Sequence, residues 1–407
     1  MSFIALCLVV ASMPFSIQFN SIAIIILATL RLPIIFKRTF LESIMGSKAI
    51  LLGILLYFIL LVSIIYTSNL QDGFFELEKK LSFFLLPLVL STFTITQQML
   101  EKVMKVFVYS CLVGLAICLV VAVVKNFEYT SERNLPWTYI HHWNFTYHYL
   151  SGAIGIHAIY FSLYLSFCFF ICLLELINYH KVLRINKFLI LLLLIFIFYC
   201  LILLSARTVL LTTFVLLLAI LFLYFRSHNQ IKLFFATLII LLILVTIITY
   251  LNDVTRIRFL NLINFISGSK VELFSGGLDL RLRQWSAIYN CVIKTNPILG
   301  IGVGDAHESY NLAYKVYNIQ KALGHNYNAH NMFIEITATN GLIGLSTLLG
   351  YLALSTKQSI LEKNFLHLLL LLLISAAGVT ESILNTQKGI IFILFFNSIF
   401  LLANKRK

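Results

Sequence analysis

Residues 187–250 read KFLILLLLIFIFYCLILLSARTVLLTTFVLLLAILFLYFRSHNQIKLFFATLIILLILVTIITY. Two long apolar runs meet at Ser205-Ala206-Arg207, and a third, Ile231 to Tyr250, follows the polar link that begins at Arg226. Each approaches the ~20 apolar residues needed to cross a hydrocarbon core. The rest of the chain repeats the pattern: its 407 residues are 60% hydrophobic and 11% charged, whereas a soluble domain carries about 25% charged residues. Water is not the solvent of this fold, and the class expected is an all-α polytopic membrane protein.

Apolar runs broken by Pro, Gly and charge give about twelve transmembrane helices. They lie near 2–14, 20–36, 48–67, 81–96, 103–124, 155–177, 187–204, 206–225, 231–250, 330–354, 365–380 and 388–403, the first and fourth being short. The whole chain, 1–407, reads as a single integral membrane domain with no internal repeat and no low-complexity tract. Its start is apolar at Phe3 without the basic flank of a secretory signal, so a retained first helix is expected.

The net charge of +14 would suggest nucleic acid in a soluble protein. Here the basic residues fall mainly in short connections between apolar runs, where they set topology, so nucleic acid is not an expected partner. Arg31, Lys37, Arg38, Lys48, Lys102, Lys105, Lys181, Arg184, Lys187, Arg226, Lys232, Lys357, Lys363 and Lys405, Arg406 and Lys407 collect on one side. Fewer face them: Lys79, Lys80, Lys125, Arg133, Arg207 and Lys388. Both termini are therefore expected in the cytoplasm, and the one long loop, 251–329, on the extracytoplasmic side. A loop of that length is usually functional, and short helices packed on the membrane domain are expected within it. The cysteines lie mostly inside apolar runs and only Cys291 sits in the long loop, so no disulfide framework or zinc spacing follows.

The residues able to carry chemistry gather on that outer side. Arg207 breaks an apolar stretch at its outer end, either as a topology marker or as a functional cation. In the long loop, Asp279-Leu280-Arg281-Leu282-Arg283-Gln284-Trp285 offers two guanidinium forks suited to phosphate, or a solvated basic segment with Trp285 at headgroup level. The alternate glycines of Asn296-Pro297-Ile298-Leu299-Gly300-Ile301-Gly302-Val303-Gly304 lack the strand-turn-helix setting of a dinucleotide loop and read as a tight turn. Gly324-His325-Asn326-Tyr327-Asn328-Ala329-His330-Asn331 runs into the tenth span. A histidine there either bonds to backbone or accepts a proton from a sugar hydroxyl. His307, His325 and His330 lack the spacing of a helical zinc pair, and His307-Glu308 is followed by Asn311 where a second histidine would be needed. No metal site is expected. His141, His142, Trp143, Tyr147 and His148 read as an interfacial belt. Glu381, just outside the eleventh span, is costly beside apolar helix and suited to pairing with an arginine.

Taken in order, an arginine at an outer span end, Arg-x-x-x-Trp, Asn-Pro-x-x-Gly-x-Gly-x-Gly, and His-Asn opening a helix that runs to Asn340-Gly341-Leu342-Ile343-Gly344-Leu345 resemble the O-antigen ligase and O-antigen polymerase superfamily. The match runs from about Ser205 to Leu345. The resemblance implies a glycosyltransferase C-type membrane fold and a donor glycan on undecaprenyl diphosphate. It also implies diphosphate-binding roles for Arg207 and Arg281, with Arg283 able to stand in for Arg281, and the essential histidine at His330. His157-Ala158-Ile159-Tyr160 is similar to a His-Pro-x-Tyr segment of relatives without its proline, which ranks His157 second, with Glu381, Asn331 and His325.

The expected reaction is metal-independent, inverting transfer to lipid A core at the periplasmic face of a bacterial inner membrane, with no cofactor. Repeat-unit polymerisation onto a carrier-linked glycan is the nearest alternative, followed by protein O-glycosylation. A transporter or flippase is disfavoured because the polar motifs gather on one face instead of at mid-span.

Overall fold

The computed structural model describes residues 1–35, 46–136, 138–267 and 277–403. Lys37, Arg38 and Lys405, Arg406 and Lys407 of the charge reading, and residues 268–276 of the long loop, lie outside the described residues. Among the described residues every regular element is helical, and each of the twelve apolar runs carries a helix. Among the described residues seven helices are long and apolar enough to cross a membrane: Ile17–Ile35, Gln97–Glu132, Ala158–Leu176, Lys187–Leu204, Arg207–Ser227, Ile231–Leu251 and Met332–Leu361. The remaining runs hold the shorter helices Ser2–Ser12, Lys48–Ser63, Ser82–Ser91, Phe365–Thr380 and Gln387–Ala403. Ile231–Leu251 exposes Ile239, Ile240, Ile243 and Ile247, as an apolar helix does where lipid replaces water.

The chain divides into two compact units, Met1–Val9 with Ile17–Leu100 and Leu273–Lys407, and Val10–Ser16 with Glu101–Glu272. In the second, Lys187–Leu204 packs on Ala158–Leu176. The Ser205 backbone turns left-handed (φ +52°), and its N–H donates to the Leu201 and Ile202 carbonyls. That turn ends one helix and lets Arg207 begin the next. At the far end of Ala158–Leu176, buried Glu175 accepts the N–H groups of Val182, Leu183 and Arg184 at 2.6 to 3.1 Å, which meets the cost of burying its charge.

In the first unit, Met332–Leu361 packs against Lys48–Ser63 and Phe365–Thr380, and Gln387–Ala403 against Ser82–Ser91. Asn397 joins three helices: its Oδ1 lies 2.6 Å from His367 Nε2 and its Nδ2 donates to Ser355 Oγ at 3.0 Å. Hydrogen bonds of this kind hold helices together in a medium where apolar contact gives little preference. The part of the long loop in this unit folds as Leu278–Ile288, a π turn at Tyr289–Ile293, Ala306–Val316 and Gln320–Gly324. Ala287, Ile288, Val292, Tyr310 and Tyr314 make its core and close onto Ala329 and Ala338.

Met332–Leu361 is two half-helices. At Gly341 the backbone leaves the helix (φ +61°, ψ −162°), and the glycine-rich loop supplies partners for the opened ladder. Ile301 and Gly302 N–H donate to the Ala338 and Thr339 carbonyls at 2.9 and 3.0 Å, and Leu342 N–H donates to the Pro297 carbonyl at 2.8 Å. A Cβ on Gly341 would stand 2.1 Å from the Ile298 oxygen, and one on Gly300 2.5 Å from the Thr339 oxygen. The loop is anchored beyond the break by Asp305, whose carboxylate accepts the Ser68 and Asn69 N–H groups at 2.8 to 2.9 Å. Because the Gly341 conformation is essentially reserved for glycine, Gly341→Ala is expected to destabilise the unit by ~1–3 kcal/mol or more. A thermal midpoint in detergent equal to that of the parent protein would contradict this.

Candidate active site

The helix Leu278–Ile288 presents its two arginines differently because residues two apart on a helix lie about 200° apart. Arg281 shares a face with buried Gln284, Ala287 and Ile288, whereas Arg283 is exposed. Trp285 lies half-buried on the same helix. Its Nε1–H donates to the Ala329 carbonyl at 2.9 Å, so the Arg-x-x-x-Trp helix is tied to the residue before His330.

His330 stands at the mouth of the Met332–Leu361 helix with a left-handed backbone (φ +46°), uncommon for a residue with a side chain. Its N–H donates to Asn328 Oδ1 at 2.9 Å, and Tyr327 meets its ring edge-on at 5.1 Å between centroids. Asn331 caps the helix: Oδ1 accepts Phe333 and Ile334 N–H at 2.9 and 3.0 Å, the satisfaction of first-turn donors that a cap provides. Its Nδ2 donates to the Val379 carbonyl at 2.9 Å, which ties the start of this helix to the end of the next.

Glu381 joins the pieces. Its Oε1 lies 3.2 Å from His330 Nδ1, and its Oε2 lies 3.8 Å from Arg281 Nη2, with the Glu381 side chain 8% exposed. With a proton on Nδ1 the histidine donates to the carboxylate, and Nε2 presents its lone pair outward. A base oriented by an acid in this way, next to a guanidinium, can accept a hydroxyl proton and stabilise developing negative charge nearby.

Of the other residues singled out, His325 is exposed and its Nδ1 lies 3.0 Å from the Lys321 carbonyl. His157 belongs to the second unit, where it caps Ala158–Leu176 through Ile159 N–H, its ring 3.9 Å from that of His148. Arg207 is half-buried at the start of its helix, also in the second unit. His307 lines a cavity of about 280 Å³ with Asp72, Glu308 and Asn311. Among the described residues no three His, Cys, Asp or Glu side chains form a metal-binding group.

Sequence reading passed over Glu335 and Ser382. Buried Glu335 accepts the Ala329 N–H at 3.0 Å and the Ser382 hydroxyl at 3.3 Å, and Ser382 Oγ accepts the Asn331 N–H at 3.2 Å. The available signal was an acid in the first turn of an apolar helix, which is expensive without donors.

None of the curated proteins matches the chain. Residues 190–349 match the family model described as O-antigen ligase, the stretch that contains Arg207, the Arg281 helix, the glycine-rich loop and His330. Over that stretch the chain is similar to O-antigen ligases, which supports the O-antigen ligase and O-antigen polymerase superfamily.

Proposed function

We propose that the protein is a glycosyltransferase of a bacterial inner membrane that moves a glycan from undecaprenyl diphosphate onto the lipid A core, with both termini in the cytoplasm and the site facing the periplasm. The observation that carries this reading is the His330–Glu381–Arg281 group at the opening of a helix, within or beside the family-matched segment. Nε2 of His330 takes the proton of the acceptor hydroxyl. The oxygen attacks the anomeric carbon from the face opposite the diphosphate, the carbon–oxygen bond to the diphosphate breaks, and the lipid diphosphate leaves with the bonding pair. Inversion follows. Glu381 balances the imidazolium, and Arg281 holds the diphosphate, whose departure needs fixed positive charge in a partly dry site; the resemblance implies the same role for Arg207. Arg281 is preferred to Arg283 for this role because it is the one beside Glu381.

The test is transfer by the purified full chain in lipid, offering undecaprenyl-diphosphate-linked glycan with either lipid A core or a second carrier-linked glycan. Product on lipid A core is the expected result. Lengthened carrier-linked glycan alone would make the protein a polymerase, and no transfer to either would remove the reading.

A further inference from the structure

The buried carboxylate of Glu335 takes no part in that mechanism, yet its Oε2 receives two donors from opposite sides of the site. Ala329 N–H, at 3.0 Å, belongs to the residue before His330, and Ser382 Oγ–H, at 3.3 Å, to the residue after Glu381. Ser382 in turn accepts the Asn331 N–H. Both neighbours of His330 in the chain are therefore tied to the loop that carries Glu381. We propose that Glu335 is a positioning residue for transfer, holding the two partners of the His330–Glu381 pair in register. The inference rests on the reading of that pair as the catalytic base and its orienter.

Two observations support it. His330 has a left-handed backbone, a state that persists only where the surroundings over-determine it, and the bonds at Ala329 and Asn331 supply that constraint from either side. Tyr310 lies fully buried in the core beneath, where burial first, and then the charge of Glu335, push its hydroxyl pKa well up, so it stays protonated beside the carboxylate. A carboxylate 4% exposed is costly unless donors compensate it. Here those donors are the groups that locate the base.

The experiment compares kcat and KM for carrier-linked glycan in the full chain bearing Glu335→Ala, Glu335→Gln, Ser382→Ala or the Glu335→Ala/Ser382→Ala pair, with His330→Ala alongside. Loosening the base by about 1 Å is expected to lower kcat on the order of a hundredfold in Glu335→Ala with donor KM little changed. Glu335→Gln should recover most of it, since an amide oxygen still accepts both donors. Ser382→Ala should lose less, and the pair should lose no more than Glu335→Ala, because both act on one contact. Parental kcat in Glu335→Ala, or a loss equally deep in Glu335→Gln, overturns the proposal. If Glu335→Ala does not yield folded protein, Ser382→Ala decides, and parental kcat there also overturns it. His330→Ala separates the two readings: if it is inactive while Glu335→Ala is active, only the positioning role fails, and if it is active the catalytic assignment itself fails.

Discussion

His330→Ala is expected to lower glycan transfer by ~10²–10⁴-fold, the range for losing a positioned general base, while the protein inserts and purifies as before. That corresponds to roughly 3–5 kcal/mol of transition-state stabilisation. The side chain is about one quarter exposed, and its polar and ring partners here are the Glu381 carboxylate and the Tyr327 ring edge. The helix cap is Asn331, not His330, so alanine leaves the helix start intact. Relief of the left-handed backbone is not a concern either, since alanine meets the same steric penalty. An interfacial histidine serving only as a hydrogen-bond partner would, on replacement, change transfer by a factor of a few at most. Glu381→Gln tests the neighbouring link: the amide oxygen still accepts from Nδ1 but no longer balances an imidazolium. Its loss should appear in kcat and be smaller than that of His330→Ala. Transfer by His330→Ala within a factor of a few of the parent would remove the histidine from the mechanism.

Hydropathy located the helices well because the bilayer asks one thing of every span. Runs read as 187–204 and 365–380 are the helices Lys187–Leu204 and Phe365–Thr380. It located ends poorly where a helix outlasts its apolar part: the run 103–124 lies inside Gln97–Glu132, since lipid sets where apolarity stops and not where hydrogen bonding does. The break in Met332–Leu361 was invisible to hydropathy. Its cause is the docking of Ile298 to Gly302 on the opened ladder, a contact some forty residues distant along the chain, for which the only local sign was Asn340-Gly341. The turn read from the alternate glycines is therefore half of a larger device, with Gly341 as its other half. At the site, residue types were legible and partnerships were not. His330 and Glu381 stand 51 residues apart in sequence, and no spacing rule joins them. Glu335 was hidden for a different reason: in the linear pattern it is one acid in a helix turn, and its meaning comes from two loops converging on one oxygen.

The two arginines of Leu278–Ile288 are expected to part company when replaced. Arg281→Ala should cost ~10²–10³ in transfer, the scale for removing a fixed charge-stabilising donor, and Arg283→Ala should stay within a few-fold of the parent. The reasoning is geometric. Arg281 lies on the face that carries Gln284 and Ala287 into the core and reaches to 3.8 Å from Glu381, whereas Arg283 is turned to solvent. At 3.8 Å the ion pair is longer than a charge-assisted hydrogen bond. On the proposed reading, the more highly charged diphosphate is the stronger partner for the guanidinium fork. Removing Arg281 also takes away the guanidinium 3.8 Å from Glu381, so the orientation of His330 is expected to loosen and kcat to fall together with donor affinity. Arg281→Lys should recover only part of the loss, because an ammonium supplies charge without the bidentate fork. The measurement is initial-rate transfer over a range of carrier-linked glycan for the three variants. Equal, large losses in Arg281→Ala and Arg283→Ala would mean that both arginines meet the donor, and a large loss confined to Arg283→Ala would move the diphosphate to the other face of the helix.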